Sequence, residues 1–263
     1  KTIEEIINPD QTVLLVVPDA TRQVGAGQIV NLLVRRLIAN GTMPYNIRII
    51  FAVGIHRAVT EAEKSEILTP FIVQRIKILE HNSRNLADIA KLGETKLGIP
   101  IELNRTLKEH DHVILVGGIT FHYFAGFTGG RKLICPGLGS SRTIGETHKL
   151  AFDFELKTRR EGVGLGKLQG NPVHEEFMEV GEAISPSFCI STVTNDKGEI
   201  VDLICGDWKT SHEHACEIYS EKNTLKIHEK RDLVIVSSGG FPYDINLIQA
   251  HKADRKSTRL NSS

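Results

Sequence analysis

Val113-Ile114-Leu115-Val116, and after it Phe121-His122-Tyr123-Phe124-Ala125-Gly126-Phe127-Thr128-Gly129-Gly130-Arg131-Lys132-Leu133-Ile134-Cys135-Pro136-Gly137, decide how this chain is read. The first four residues are an apolar, β-branched run of strand length, the pattern of a strand buried on both faces. The connection behind it holds an imidazole, a lysine and four glycines. Glycine lets the backbone approach a ligand closely and take up positive φ. A histidine and a lysine on such a loop offer a proton carrier and an amine able to form a covalent bond.

Working outward, the same kind of run recurs at Thr12 to Val17, stopped by Pro18, and at Asn46 to Val53, ending at Gly54. Shorter strands are predicted at Arg75 to Leu79, Phe188 to Val193 and Ile200 to Ile204, the last two joined by the turn Asn195-Asp196-Lys197-Gly198. Helical spacing marks Ile29 to Ile38, closed by Asn40-Gly41. Thr60 to Leu68 and Thr143 to Phe154 each open on a Thr-x-x-Glu capping box, with Glu63 and Glu146 as partners. Thr210 to Tyr219 reads as a further helix. Strands alternating with helices predict an α/β fold: an open, mostly parallel, Rossmann-like sheet with helices on both faces. Residues 1–229 are expected to form this domain. Leu233 to Val236 reads as a strand opening a second α/β domain over residues 230–253.

The polar candidates then share one place. Asp19 and Arg22 follow the strand ending at Val17, His56 follows the strand ending at Val53, and His122 and Lys132 follow the strand ending at Val116. Open α/β sheets bind ligands just beyond the carboxyl ends of their strands. Each residue alone has an ordinary explanation. His56 fits a solvated loop histidine, Lys132 a surface lysine, His148 the exposed face of an amphipathic helix, and Asp19 a helix cap paired with Arg22. Their convergence on one sheet edge favours a site.

Composition excludes several classes. The 263 residues are 40% hydrophobic and 24% charged, with 32 basic and 32 acidic side chains, as in an ordinary globular protein. No apolar run approaches a membrane span and no signal peptide is visible, so a cytoplasmic protein with no membrane partner is expected. The last ten residues, 254–263, resemble a translated sequencing adaptor and are set apart as non-native. Without them the counts fall to 29 basic and 31 acidic, and no basic face suggests nucleic acid. Cys135, Cys189, Cys205 and Cys216 are scattered and read as free thiols, Cys135 as a small buried hydrophobe. Gly126 to Lys132 lacks the spacing and the Ser/Thr of a phosphate-binding P-loop. No G-x-G-x-x-G follows the first strand, and His110-Asp111-His112 is not a zinc spacing.

With these residues in place, the chain resembles the nickel-pincer-nucleotide lactate racemases and related 2-hydroxyacid racemases and epimerases, across roughly Lys1 to Ala253. The resemblance implies a modified pyridinium mononucleotide whose sulfur groups hold nickel. It implies that Lys132, in the loop with Gly129 and Gly130, bonds covalently to that cofactor. It implies His148, sixteen residues on, as the nickel ligand, and His56 and His122 as an acid/base pair. The Pro18-Asp19-Ala20-Thr21-Arg22 segment resembles the family's binding loop, placing Asp19 and Thr21 at the cofactor and Arg22 at the substrate, a small 2-hydroxy acid. Ala20 stands where some members carry a second arginine. Gly239 to Asp244, Gln249 and Lys252 resemble the start of the family's second domain, where the glutamine and lysine bind substrate. Ile248 stands in place of a tyrosine of lactate racemases, so the hydroxy acid need not be lactate. Most of that second domain is expected to be missing, which predicts an inactive fragment of an active isomerase. Two other readings stand beside this one: a zinc-type hydrolase or lyase using His56, His122 and His148 as ligands, and an inactive ligand-binding fragment.

Overall fold

The computed structural model describes residues 2–20, 24–195, 197–224, 232, 233, 235–240 and 247. The chain divides into two compact units, Lys1–Ser220 and Glu221–Ser263. The first contains β1 (Val13–Pro18), α1 (Ala26–Ala39), β2 (Ile47–Ala52), α2 (Glu61–Ile67), α3 (Pro70–Arg75), β3 (Lys77–Leu79), β4 (Ile89–Glu94), β5 (Pro100–Asn104), α4 (Thr106–Glu109) and β6 (His112–Gly118). It continues through β7 (Phe121–His122), β8 (Gly126–Phe127), α5 (Ser141–Lys149), β9 (Phe152–Asp153), β10 (Thr158–Arg159), α6 (Pro172–Glu182), β11 (Phe188–Thr194) and β12 (Ile200–Gly206); α7 (Thr210–Asn223) begins in this unit.

The central sheet has the order β12-β11-β6-β1-β2-β3. β3, β2, β1, β6 and β11 run parallel, and β12 closes the edge antiparallel to β11. The expected α/β architecture is therefore present. All six residues of β1 are buried, as expected of a central strand covered on both faces. Alternation sends Val13, Leu15 and Val17 into one core cluster and Leu14 and Val16 into the other. The first cluster is closed by Ile29, Val30, Leu33, Val34 and Leu37 of α1. Each such side chain stabilises the fold by roughly 1.5–3 kcal/mol on full burial. The second holds Phe177 and Val180 of α6, Ile144 is buried in α5, and Leu103 of β5 joins that same cluster.

β1 is the turning point of the topology. From it the chain builds β2 and β3 on one side, then β6, β11 and β12 on the other. The strand order reverses between β1 and β6, the place where such sheets leave a crevice beyond their carboxyl ends.

The structure corrects several element expectations. α2 has the predicted Thr60 cap and both bonds of its capping box. The helix predicted at Thr143 to Phe154 instead runs Ser141–Lys149 with Ser140 as N-cap. Thr143 is buried inside it and donates its hydroxyl to Pro100 O at 2.7 Å. Thr143-x-x-Glu146 imitates a box, but Ser140 three residues earlier accepts the Thr143 N–H. Arg75 ends α3 rather than opening a strand. Leu233, Ile235 and Val236 lie in no strand, and Leu233 and Ile235 are exposed. An apolar run becomes a strand only against a partner.

Candidate active site

Asp19 directly follows β1, whose last residue, Pro18, pairs in register with Ala52 at the end of β2. His56 lies four residues past that end. The two meet: Asp19 Oδ2 is 2.7 Å from His56 Nδ1. The carboxylate side chain is only 10% exposed, the imidazole 57%. A carboxylate accepts, so Nδ1 carries the proton and the lone pair sits on Nε2. Asp19, expected at the cofactor, is therefore also the group that orients His56. The His56 loop is tied to the lysine loop by Gly54 N–H donating to Gly137 O at 2.8 Å, and Gly137 N–H in turn donates to Lys132 O at 3.0 Å.

The connection after β6 folds as a small hairpin, β7–β8, then a 3-10 turn over Gly130–Leu133. Gly129 and Gly130 have φ of +73° and +50°, and a Cβ on Gly130 would lie 2.5 Å from His212 Cδ2. Only glycine fits that pair of positions, so packing alone already demands the two residues that the family resemblance places at the cofactor.

Lys132 Nζ lies 3.4 Å from His122 Nε2 and sits over the rings of Phe124 and Phe177, 5.4 and 5.1 Å from their centroids. His122 Nδ1 accepts the Ala125 N–H at 3.2 Å. Its neutral ring therefore carries its proton on Nε2. By their Nδ1 partners, His122 is left a donor at Nε2 and His56 an acceptor there.

His148 occupies the last turn of α5, its ring 5.0 Å from Phe124 and 5.8 Å from Phe177. Nδ1 donates to Ile144 O at 2.7 Å, so Nε2 keeps its lone pair. Burial, and then the positive charge of Lys132, push its pKa down to about 4. A neutral imidazole with its second nitrogen engaged by a carbonyl is the form that binds a transition metal. Lys132, His122 and His148 are thus drawn together around Phe124 and Phe177.

The sequence reading missed the groups beneath this cluster. Arg131 is fully buried and donates to Ala125 O at 2.7 Å and to His212 Nε2 at 2.8 Å. Burial pushes its pKa down to about 10. Asn171 caps α6 and reaches Phe124 O; the pair Asn171-Pro172 is a helix-start signal that the sequence alone carried. Cys135 is buried and its thiol is pushed up to about 12 by burial, which suits the role of a small hydrophobe. Thr21, Arg22, Gln249 and Lys252 lie outside the described residues, as do Ile248, the Phe241 to Asp244 segment and residues 254–263.

Among the described residues no three His, Cys, Asp or Glu side chains are grouped so as to hold a metal ion. His56, His122 and His148 do not form such a set, which disfavours the zinc reading. No helix among the described residues is long and apolar enough to cross a membrane.

An open, mostly parallel sheet with histidines and a lysine beyond its central carboxyl ends has the α/β architecture in which ligands bind at that edge. The chain belongs to the family described as lactate racemase N-terminal domain, whose profile matches residues 1–159. It is 29% identical over 252 residues to the lactate racemase of Thermoanaerobacterium thermosaccharolyticum, covering 96% of this chain and 58% of that protein. It is 30% identical over 250 residues to the lactate racemase of Lactiplantibacillus plantarum, covering 95% of this chain and 57% of that protein. The chain therefore spans somewhat over half the length of these relatives. The structure of the T. thermosaccharolyticum lactate racemase apoprotein superposes with a TM-score of 0.91 at 27% identity, over 100% of this chain and 61% of that one. A Thermotoga maritima protein at 22% identity shares the fold, with a TM-score of 0.68 over 84% of this chain and 57% of that one.

Proposed function

We propose that this chain is the cofactor-binding and proton-handling part of a racemase or epimerase acting on a small 2-hydroxy acid. The observations that support the reading are the cluster of Lys132, His122 and His148 and the Asp19–His56 pair, beyond the carboxyl ends of adjacent parallel strands, in a chain of the lactate racemase N-terminal domain family. The residues suit a nickel-pincer pyridinium nucleotide. Lys132 would hold it covalently through its amine, and His148 would ligate nickel through Nε2, its tautomer set by Ile144 O. Gly129, Gly130 and Thr21 would line its path, with Arg22, Gln249 and Lys252 left to the carboxylate and the rest of the substrate. When bound, that group supplies the hydride acceptor and donor that the side chains of a protein lack.

The chain's own residues handle the proton. His56 Nε2 takes the hydroxyl proton as the hydroxyl-bearing carbon loses its hydride and becomes planar. Asp19 holds the resulting imidazolium through Nδ1. His122 Nε2–H hydrogen-bonds the same oxygen as it acquires carbonyl character. Return of the proton by His56 would restore the starting enantiomer, and return by His122, with the other face of the planar carbon reacting, would give its mirror image. Arginine grips a carboxylate bidentately, which suits Arg22 to the acid group.

Intact mass measurement of the full-length protein, expressed with the enzymes that make the nucleotide, tests the reading. A nickel-containing adduct is expected on the wild type and none on Lys132→Ala. An adduct kept at full occupancy in that variant defeats the assignment.

A further inference from the structure

We propose that Asn171 is a positioning residue that fixes the ring orientation and tautomer of His122 through the Phe124–Ala125 peptide. The proposal rests on the reading of His122 as a reactive-site histidine. Asn171 is fully buried, and its amide is sorted end for end. Oδ1 accepts the Val173 and His174 N–H groups at 3.1 and 3.4 Å, capping α6. Nδ2 donates to Phe124 O at 2.8 Å and to Lys167 O at 3.0 Å. Turning the amide over would set donors against donors and acceptors against acceptors, so its orientation is determined.

Phe124 O and the Ala125 N–H are the two ends of one planar peptide unit. Asn171 grips the oxygen; the N–H points at His122 Nδ1 at 3.2 Å. Hydrogen bonds in such a chain polarise one another, so the amide at one end strengthens the donor at the other. The two peptides that follow are held as well: Arg131 Nη2 donates to Ala125 O at 2.7 Å, and Gly166 N–H donates to Gly126 O at 3.0 Å. A main-chain N–H aimed at Nδ1 excludes a proton there. The Ala125 N–H at Nδ1 therefore holds His122 as the Nε2–H tautomer. His56 is held in the reverse sense by Asp19. Asn171 is thus the origin of the asymmetry between the two histidines, although it touches neither.

The test uses the 263-residue chain labelled with ¹⁵N-histidine, with long-range ¹H–¹⁵N correlation spectra read near neutral pH and His122 assigned from His122→Gln. The wild type should show His122 as a single Nε2–H form. Asn171→Asp keeps an oxygen for the α6 cap, since Asp and Asn cap about equally well, but loses the donor to Phe124 O. Asn171→Ser does the same without adding charge. Both should keep the backbone amide signal of His174 while His122 loses its single-tautomer signature and shows mixed Nδ1–H and Nε2–H shifts. A wild-type His122 protonated on Nδ1 overturns the proposal. So do folded variants with unchanged His122 shifts, and so does failure of both variants to fold, since the role then is not separable from the cap. A missing adduct on Lys132 with the tautomer result intact would defeat the proposed function and leave this inference standing.

Discussion

The loop after β2 leaves more than half of the His56 side chain exposed and fixes its ring through one carboxylate, Asp19. The connection after β6 is held by main-chain and buried side-chain groups: Asn171 on Phe124 O, Arg131 on Ala125 O, Gly166 on Gly126 O, and Ala125 N–H on His122. The two histidines come from parallel strands flanking β1, yet a charge orients one and the fold itself orients the other. A pair of imidazoles that are equivalent in sequence thereby becomes an acceptor and a donor.

Removing each imidazole tests that division most strongly. In the full-length protein, His56→Gln and His122→Gln are each expected to lower turnover by roughly 10²–10⁴-fold, the usual contribution of a positioned proton-transfer group. The pH–rate profile should lose its base limb in the His56 variant only. Equal loss of that limb in both would show that the two histidines share one role. Steady-state kinetics across pH decides between these.

Stability should divide the regions the other way. Phe177 is fully buried beneath Lys132 and His148, and Phe177→Ala is expected to cost about 3–5 kcal/mol. Ile55, beside His56, is 61% exposed, and Ile55→Ala should fall within about 0.5 kcal/mol of wild type. Urea unfolding of both variants measures the contrast. Similar costs would mean that the His56 loop is packed far more tightly than its exposure indicates.

Acid provides a milder probe of the platform under the lysine loop. His81 is buried, faces Gly139 O through Nε2 and receives the Asn104 amide at Nδ1. Burial pushes its pKa down from 6.5 to about 4. The folded state thus binds this proton less readily than the unfolded chain. Stability is fully present above pH 6.5 and is lost as pH falls toward 4, by at most about 3 kcal/mol from this residue. His174, pushed to about 3 by burial and by Arg131, adds a loss of the same sign extending lower. Thermal melts from pH 7.5 to pH 4 should show a falling midpoint, with a shallower fall in His81→Gln. A midpoint flat across that range would remove both histidines from the account.

Much of the fold was legible because its strands carry their own signal. Thr12 to Val17 and Val113 to Val116 are continuous apolar runs, and such runs belong to central parallel strands. The β4–β5 hairpin was not legible. Lys91, Gly93 and Glu94 interrupt any alternation there, and its place is set by pairing with Gly139. The start of α5 was misread because two hydroxyl residues three apart both offer a cap, and burial of Thr143 decides between them. In the site, His56, His122, Lys132 and His148 stood out as polar groups at one sheet edge or at family spacing. Phe124, Phe177, Arg131 and Asn171 did not, since each looks like an ordinary residue of its element.

The amino-acid sequence by itself determined the parallel α/β sheet, the edge where its polar loops gather, and the residue types available there. Hydrophobic runs and glycine positions are local properties, and strand ends follow from them. Only the tertiary structure decided which nitrogen of each histidine holds the proton, because that depends on partners 37 residues away for His56 and on a peptide gripped from 47 residues away for His122. Hydrogen-bond complementarity across such distances exists only once the chain has folded, and there it separates two like side chains into unlike tools.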